Sequence, residues 1–105
     1  MNEPSRIRVL IVDDHDMLRE GLASFLSAYP DLELAGQAAS GSEALRVCEA
    51  AHPDVILMDL MMPDMDGVQT TRQILERHPE VKIVALTSCG EEDLVRAELH
   101  AGAIG

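Results

Sequence analysis

Aromatic side chains are nearly missing from this sequence: Phe25 and Tyr29 are its only two, and it has no tryptophan. Any core must therefore be aliphatic, assembled from Val, Leu, Ile, Ala and six methionines. Cysteine is scarce too. Cys48 and Cys89 lie far apart, without the C-x-x-C spacing of redox or zinc sites, and read as reduced thiols of a cytosolic protein. Basic residues are few, eight Lys and Arg against nineteen Asp and Glu, for a formal net charge of −11. A surface that acidic repels phosphate backbones and anionic lipid, which argues against direct nucleic-acid or membrane binding by this chain. No apolar run approaches the length of a membrane span, and the polar start Met1-Asn2-Glu3-Pro4-Ser5 is no signal peptide. Linkers, repeats and low-complexity tracts are lacking as well. What remains is a chain of 105 residues, 47% hydrophobic and 26% charged, which suits one folded domain and not a disordered segment.

Short apolar runs alternate with amphipathic stretches from end to end. Ile7-Arg8-Val9-Leu10-Ile11-Val12 is short, rich in β-branched residues and closed by acids, which predicts a buried strand. From Asp16 the spacing predicts a helix with Leu18, Leu22, Phe25, Leu26 and Tyr29 on its core side, stopped at Pro30. Residues 32–37 read as a weaker strand towards a sheet edge. Ser40-Gly41-Ser42-Glu43 is a capping box, opening a helix that ends before His52-Pro53. Val55-Ile56-Leu57-Met58 is a fully apolar strand. Asp66 and Gln69 start a third helix carrying Val68, Thr71, Ile74 and Leu75, halted at His78-Pro79. Residues 81–86 make a fourth strand. Ser88 with Glu91 opens a fourth helix through Leu94, Ala97 and Ala101, with Gly102 at its end. Continuously apolar strands separated by helices predict an α/β fold, a doubly wound parallel sheet covered on both faces.

In such sheets ligands bind beyond the carboxyl ends of the strands, where the strand order reverses. Asp13-Asp14 close the first strand, Asp59 the third and Thr87-Ser88 the fourth. One aspartate there would simply begin a loop; three sets in step make a small acidic bowl. Crowded carboxylates share a proton or bind a cation, and a hard divalent ion such as Mg²⁺, keeping some waters, suits them. Two rival sites fail on spacing. A dinucleotide or flavin phosphate loop wants glycines after the first strand, where Asp13-Asp14-His15-Asp16 would repel phosphate. An EF-hand with Gly67 at its sixth position would start at Met62 and end at Gln73, neither a usable anchor. Asp64 and Asp66 therefore read as turn and N-cap residues.

Val12-Asp13-Asp14-His15, Leu57-Met58-Asp59-Leu60-Met61-Met62-Pro63, Asp66-Gly67 and Leu86-Thr87-Ser88, in this order and spacing, resemble the receiver domain of bacterial two-component response regulators. Asp14-His15 leading to Leu18-Arg19-Glu20-Gly21-Leu22, then Gly41-Ser42-Glu43-Ala44-Leu45, is similar to the NarL/FixJ (LuxR-type) subfamily. The resemblance covers residues 6–105. It implies a flavodoxin-like (CheY-like) strand order 2-1-3-4-5 and a cytoplasmic, phosphorylation-dependent signalling domain that switches a transcriptional regulator. A sensor histidine kinase would pass a phosphoryl group to Asp59, the implied phosphoacceptor. Asp14, Asp59 and the backbone carbonyl of Met61 would hold Mg²⁺, with Asp13 acting through water. Thr87 would be the switch hydroxyl, and the backbone amides of Met61 and Ser88 would contact the phosphoryl group. Such a domain catalyses only its own phosphorylation and dephosphorylation. The physics agrees: phosphoryl transfer needs an in-line nucleophile and a cation on the equatorial oxygens, and a strand-end carboxylate is rigidly placed for attack.

The resemblance departs at one place. The family's fifth-strand lysine and aromatic have no counterpart, and counting forward both would fall beyond Gly105. The expectation is a receiver with its fifth strand and last helix cut short, meeting DNA only through an output domain absent from this chain. Residues 81–86 would then form an apolar edge blunted only by Lys82, and 1–105 alone is expected to be unstable or self-associating.

Other residues read more plainly. His15 lacks a second histidine at ligand spacing and reads as a loop residue, while His52, His78 and His100 sit at helix C-terminal ends. Cys89, Met61 and Met62 read as loop packing. Met17, Gly21, Ser24 and Ala28 form a stripe of mostly small residues on the first helix, a candidate interface for a homodimer formed on phosphorylation. Two other functions compete. An aspartyl-phosphate phosphohydrolase would want a second acid shortly after the nucleophile, where Met61 stands. A receiver-like module that binds partners without phosphorylation would not need Asp13, Asp14, Asp59 and Thr87 together.

Overall fold

A computed structural model of the chain describes residues 6–59 and 67–86, together with Arg96 and Gly102. Met61, Met62, Asp64 and Asp66, the hydroxyls of Thr87 and Ser88, Cys89, His100 and most of the expected fourth helix lie outside the described residues. The elements follow the expected alternation: β1 (Ile7–Val12), α1 (Asp16–Ser27), β2 (Leu32–Ala38), α2 (Gly41–Ala51), β3 (Val55–Asp59), α3 (Gly67–Arg77) and β4 (Lys82–Leu86).

Four parallel strands lie in the order β2-β1-β3-β4. This is the expected order as far as the described strands reach. The apolar runs take two roles because successive side chains of a strand point to opposite faces. Leu10, Val12, Ile56, Met58 and Ile83 face α2 and α3, where Ala44, Cys48 and Ile74 complete one core. Val9 and Ile11 face α1, where Leu26 closes a smaller core with Leu22, Ala23, Leu32 and Leu57. Burial on both faces explains why residues 9–12 of β1 and 55–58 of β3 are continuously apolar.

Local chemistry fixes the element ends. The Ser40 hydroxyl accepts from the Glu43 backbone N–H at 3.2 Å, and the Glu43 carboxylate accepts from the Ala39 N–H at 2.7 Å. The capping motif thus opens α2 as expected, with the reciprocal bond reaching one residue further back. At the other end of α2, the Arg8 guanidinium donates to the Ala51 carbonyl at 2.8 and 3.2 Å and to Glu33 at 3.0 Å. It satisfies a carbonyl that the helix leaves unpaired. A register shift between Val9 and Leu10 lets Gly36 oppose Leu10, and a Cβ at Gly36 would lie 2.9 Å from Val47 Cγ1. The missing side chain is what lets α2 pack this close to β2.

Two expectations are corrected. Leu18, Phe25 and Tyr29 were expected on the core side of α1 but are exposed, Phe25 by 60%. The sheet face reaches only Leu26, Leu22 and Ala23, and Phe25 instead packs on Tyr29, with ring centroids 5.2 Å apart. In α3 the expected Thr71 and Ile74 are buried and Leu75 packs half-buried on the core, but Gly67 and Thr70 are buried as well and Val68 is only half-buried. Among the described residues no helix is long and apolar enough to cross a membrane.

Candidate functional site

The site is built by where the strands stop. Val12 pairs with Met58 and Asp59 with Leu86, so the residues closing β1, β3 and β4 end at one level. Asp13 follows β1 directly, and its N–H still donates to the Ala38 carbonyl at 3.0 Å, extending the ladder by one bond. Its carboxylate is buried, 1% exposed for the residue, and accepts the His15 backbone N–H at 2.7 Å. This Asx-type turn reverses the chain into α1. Asp59 is the last residue of β3 and is 9% exposed.

These groups converge. Asp13, Asp14, His15 and Asp59 each bring one ligand atom into a cluster whose members all lie within 4.8 Å of one another. The His15 Nδ1 stands 2.9 Å from Asp13 Oδ1 and 3.1 Å from Asp14 Oδ1. Only the first contact has hydrogen-bond geometry: Asp14 Oδ1 is buried and accepts no hydrogen bond among the described residues. Three carboxylates this close repel one another in a partly desolvated pocket. The His15 imidazole is accordingly pushed above its ordinary pKa, first by its hydrogen bond to Asp13, then by the charge of Asp14, Asp13 and Asp59. A buried acceptor without a donor, beside two further carboxylates, is the donor set a hard divalent cation takes.

The expected Asp13, Asp14 and Asp59 are thus brought together. Met61, Thr87 and Ser88 lie outside the described residues. Met17, Gly21 and Ser24 on α1 and Ala28 at its C-cap are all exposed, Met17 by 87%, and a Cβ on Gly21 would meet nothing within 4 Å.

Two side-chain arrangements at the site were not anticipated from the sequence. His15 occupies the N-cap position of α1, as a loop residue would, but its ring makes no cap bond and turns onto the acids. Arg19 donates to the Asp13 backbone carbonyl at 2.6 Å, to Gln37 Oε1 at 3.3 Å and to the Asp16 carboxylate. The i,i+3 spacing of Asp16 and Arg19 was the available signal for the last of these.

Residues 9–105 match the family of the response regulator receiver domain. The chain is 50% identical over 98 residues to the transcriptional regulatory protein LiaR of Bacillus subtilis (strain 168), covering 93% of this chain and 46% of LiaR. It spans about half the length of the curated relatives it matches. Among solved structures, it is similar to a LuxR-family two-component response regulator from Aurantimonas sp. SI85-9A1, with a TM-score of 0.87 and 30% identity. That match covers 94% of this chain and 71% of the other. A CheX-CheY-BeF3-Mg complex from Borrelia burgdorferi is also similar, with a TM-score of 0.85, 28% identity and coverage of 94% and 75%. A doubly wound sheet with three aspartates at its strand ends, and a family match over nearly its whole length, place this chain in the response regulator receiver domain family.

Proposed function

We propose that Asp59 is the phosphoacceptor of this receiver. A sensor histidine kinase is the donor: an Asp59 carboxylate oxygen attacks the phosphorus of the kinase's phosphohistidine, the P–N bond breaks, and an acyl phosphate forms. Water later cleaves that bond, returning the carboxylate and inorganic phosphate. Asp14, Asp59 and the Met61 carbonyl are the residues to hold Mg²⁺, with Asp13 acting through water. The ion, when bound, neutralises the phosphoryl oxygens during transfer. Asp59 is held rigidly by the β3 ladder, so little reorganisation precedes attack. The Thr87 hydroxyl donates to the phosphoryl group as the switch contact, joined by the amides of Met61 and Ser88.

The observation that carries this reading is the convergence of Asp59 with Asp13, Asp14 and His15 within 4.8 Å at the carboxyl ends of the strands. The similar CheY solved with BeF3 and Mg supports the same ligand class. Met61, two residues after Asp59, supplies no second acid and so counts against a phosphohydrolase. The parent acts as a cytoplasmic transcriptional regulator, meeting DNA through an output domain outside residues 6–105. The α1 stripe of Met17, Gly21, Ser24 and Ala28 contributes to a dimer formed on phosphorylation. Incubation with Mg²⁺ and acetyl phosphate, followed by intact mass measurement, should add one phosphoryl group to the natural protein and none to Asp59→Asn. A mass that never changes would favour a module that binds partners without phosphorylation.

A further inference from the structure

We infer that Arg19 is a positioning residue for the carboxylate site, its guanidinium clamping the 13–16 loop in the arrangement that sets Asp13 and Asp14 against Asp59. The inference rests on the reading of that site as the Mg²⁺ site. Arg19 lies one turn into α1, and only 16% of its side chain is exposed. Its three nitrogens reach three elements: the Asp13 carbonyl just after β1 at 2.6 Å, Gln37 Oε1 on β2 at 3.3 Å, and the Asp16 carboxylate in the first turn of α1. A planar fork suits this task, whereas a lysine presents a point charge that cannot span the three acceptors.

The loop needs such a clamp because its usual anchor is missing. Helix starts are commonly fixed by a Ser, Thr, Asp or Asn side chain bonded back to the first turn. Here His15 holds the N-cap position and makes no such bond. The Asp13 N–H holds the first loop residue to Ala38 of β2, and the Asp13 carboxylate fixes the His15 N–H, but neither bond ties the start of α1 to the sheet. Arg19 adds that tie, joining the first turn of α1 to Gln37 of the neighbouring strand. It also grips Asp13 by the main-chain carbonyl, leaving both Asp13 carboxylate oxygens and Asp14 outside its reach among the described contacts.

Position and charge predict opposite signs. As a positive charge alone, Arg19 would oppose a bound dication, and its removal would strengthen Mg²⁺ binding. As a clamp, its removal weakens binding, and outer-shell partners of metal ligands typically contribute about tenfold or more in affinity. Calorimetric Mg²⁺ titration of the intact protein separates the two. Arg19→Ala should raise the Mg²⁺ Kd by about tenfold. Arg19→Lys, which keeps the charge, should recover only a minor part, and Gln37→Leu should weaken binding less than Arg19→Ala. Leu26→Ala, a core change in the same helix, should lower the melting temperature and leave the Kd unchanged, and a merely structural role for Arg19 would make Arg19→Ala behave the same way. In the metal-free protein, hydrogen exchange at the Asp14 and His15 amides should quicken in Arg19→Ala. Should Arg19→Ala prove unfolded, Arg19→Lys and Gln37→Leu decide in its place. Unchanged or tighter binding in these variants, beside a natural protein that binds Mg²⁺, overturns the clamp alone. A natural protein that binds no Mg²⁺ overturns the reading of the site and the clamp with it.

Discussion

At the scale of the residue, the carboxylates and His15 share one pocket but have unequal parts. Asp14 Oδ1 is buried and accepts no hydrogen bond among the described residues, whereas the His15 ring is largely exposed and reaches the acids from outside. Asp14→Ala should therefore raise the Mg²⁺ Kd by about tenfold or more, and His15→Ala by clearly less, as read by titration with the metal. A larger loss in the histidine variant would point to a softer ion. Cys48 offers a separate check on the core. Its thiol, on α2, is buried in the core against the sheet, and burial pushes it up to about 11 from an ordinary 9.0. The folded value lies above the unfolded one, so the neutral thiol stabilises fully below pH 9 and the contribution is lost as pH rises towards 11. Denaturant midpoints across that interval should fall more steeply in the natural protein than in Cys48→Ala. Asp13, Asp14 and Asp59 were legible from sequence because strand ends are marked by where apolar runs stop. Arg19 and the His15 ring were not, since their partners depend on how the loop turns, which spacing alone does not give.

At the scale of the element, all three described helices and all four strands stand where periodicity and punctuation put them, with ends moved by a residue or so. Capping chemistry explains the accuracy at α2, where Ser40 and Glu43 satisfy backbone N–H groups on both sides of the helix start. Ser40→Ala should lower the unfolding free energy by about 1 kcal/mol in denaturant titration. Gly36→Ala should cost about 1–3 kcal/mol in the same titration, because its Cβ would press on the stiff Val47 side chain and force α2 away from β2. The misreading of α1 has a physical cause. Periodicity shows that Leu18, Phe25 and Tyr29 share a side with Leu26, but not how far the sheet extends beneath them. Among the described residues that support stops at Leu22, Ala23 and Leu26. In α3 the inward face uses Thr70 beside the expected Thr71 and Ile74, a polar residue that a scan for apolar side chains undervalues.

At the scale of the whole molecule, a net charge of −11 and a cluster of acids at one end of the sheet both favour cations over anions, so the proposed phosphoryl transfer depends on a cation accompanying the phosphoryl group. The topology was legible because parallel strands must be apolar on both faces and crossovers have one hand, which leaves few arrangements of these elements. The chemistry was legible only once several short motifs were read together, as each alone is common. The most direct test of the central claim is to locate the phosphoryl group. The intact protein is treated with acetyl phosphate and Mg²⁺, the acyl phosphate is reduced with borohydride, and the peptides are sequenced by mass spectrometry. Homoserine at position 59, lost when EDTA removes the metal, is the predicted result. Reduction at any other aspartate, or the same yield without Mg²⁺, would contradict it.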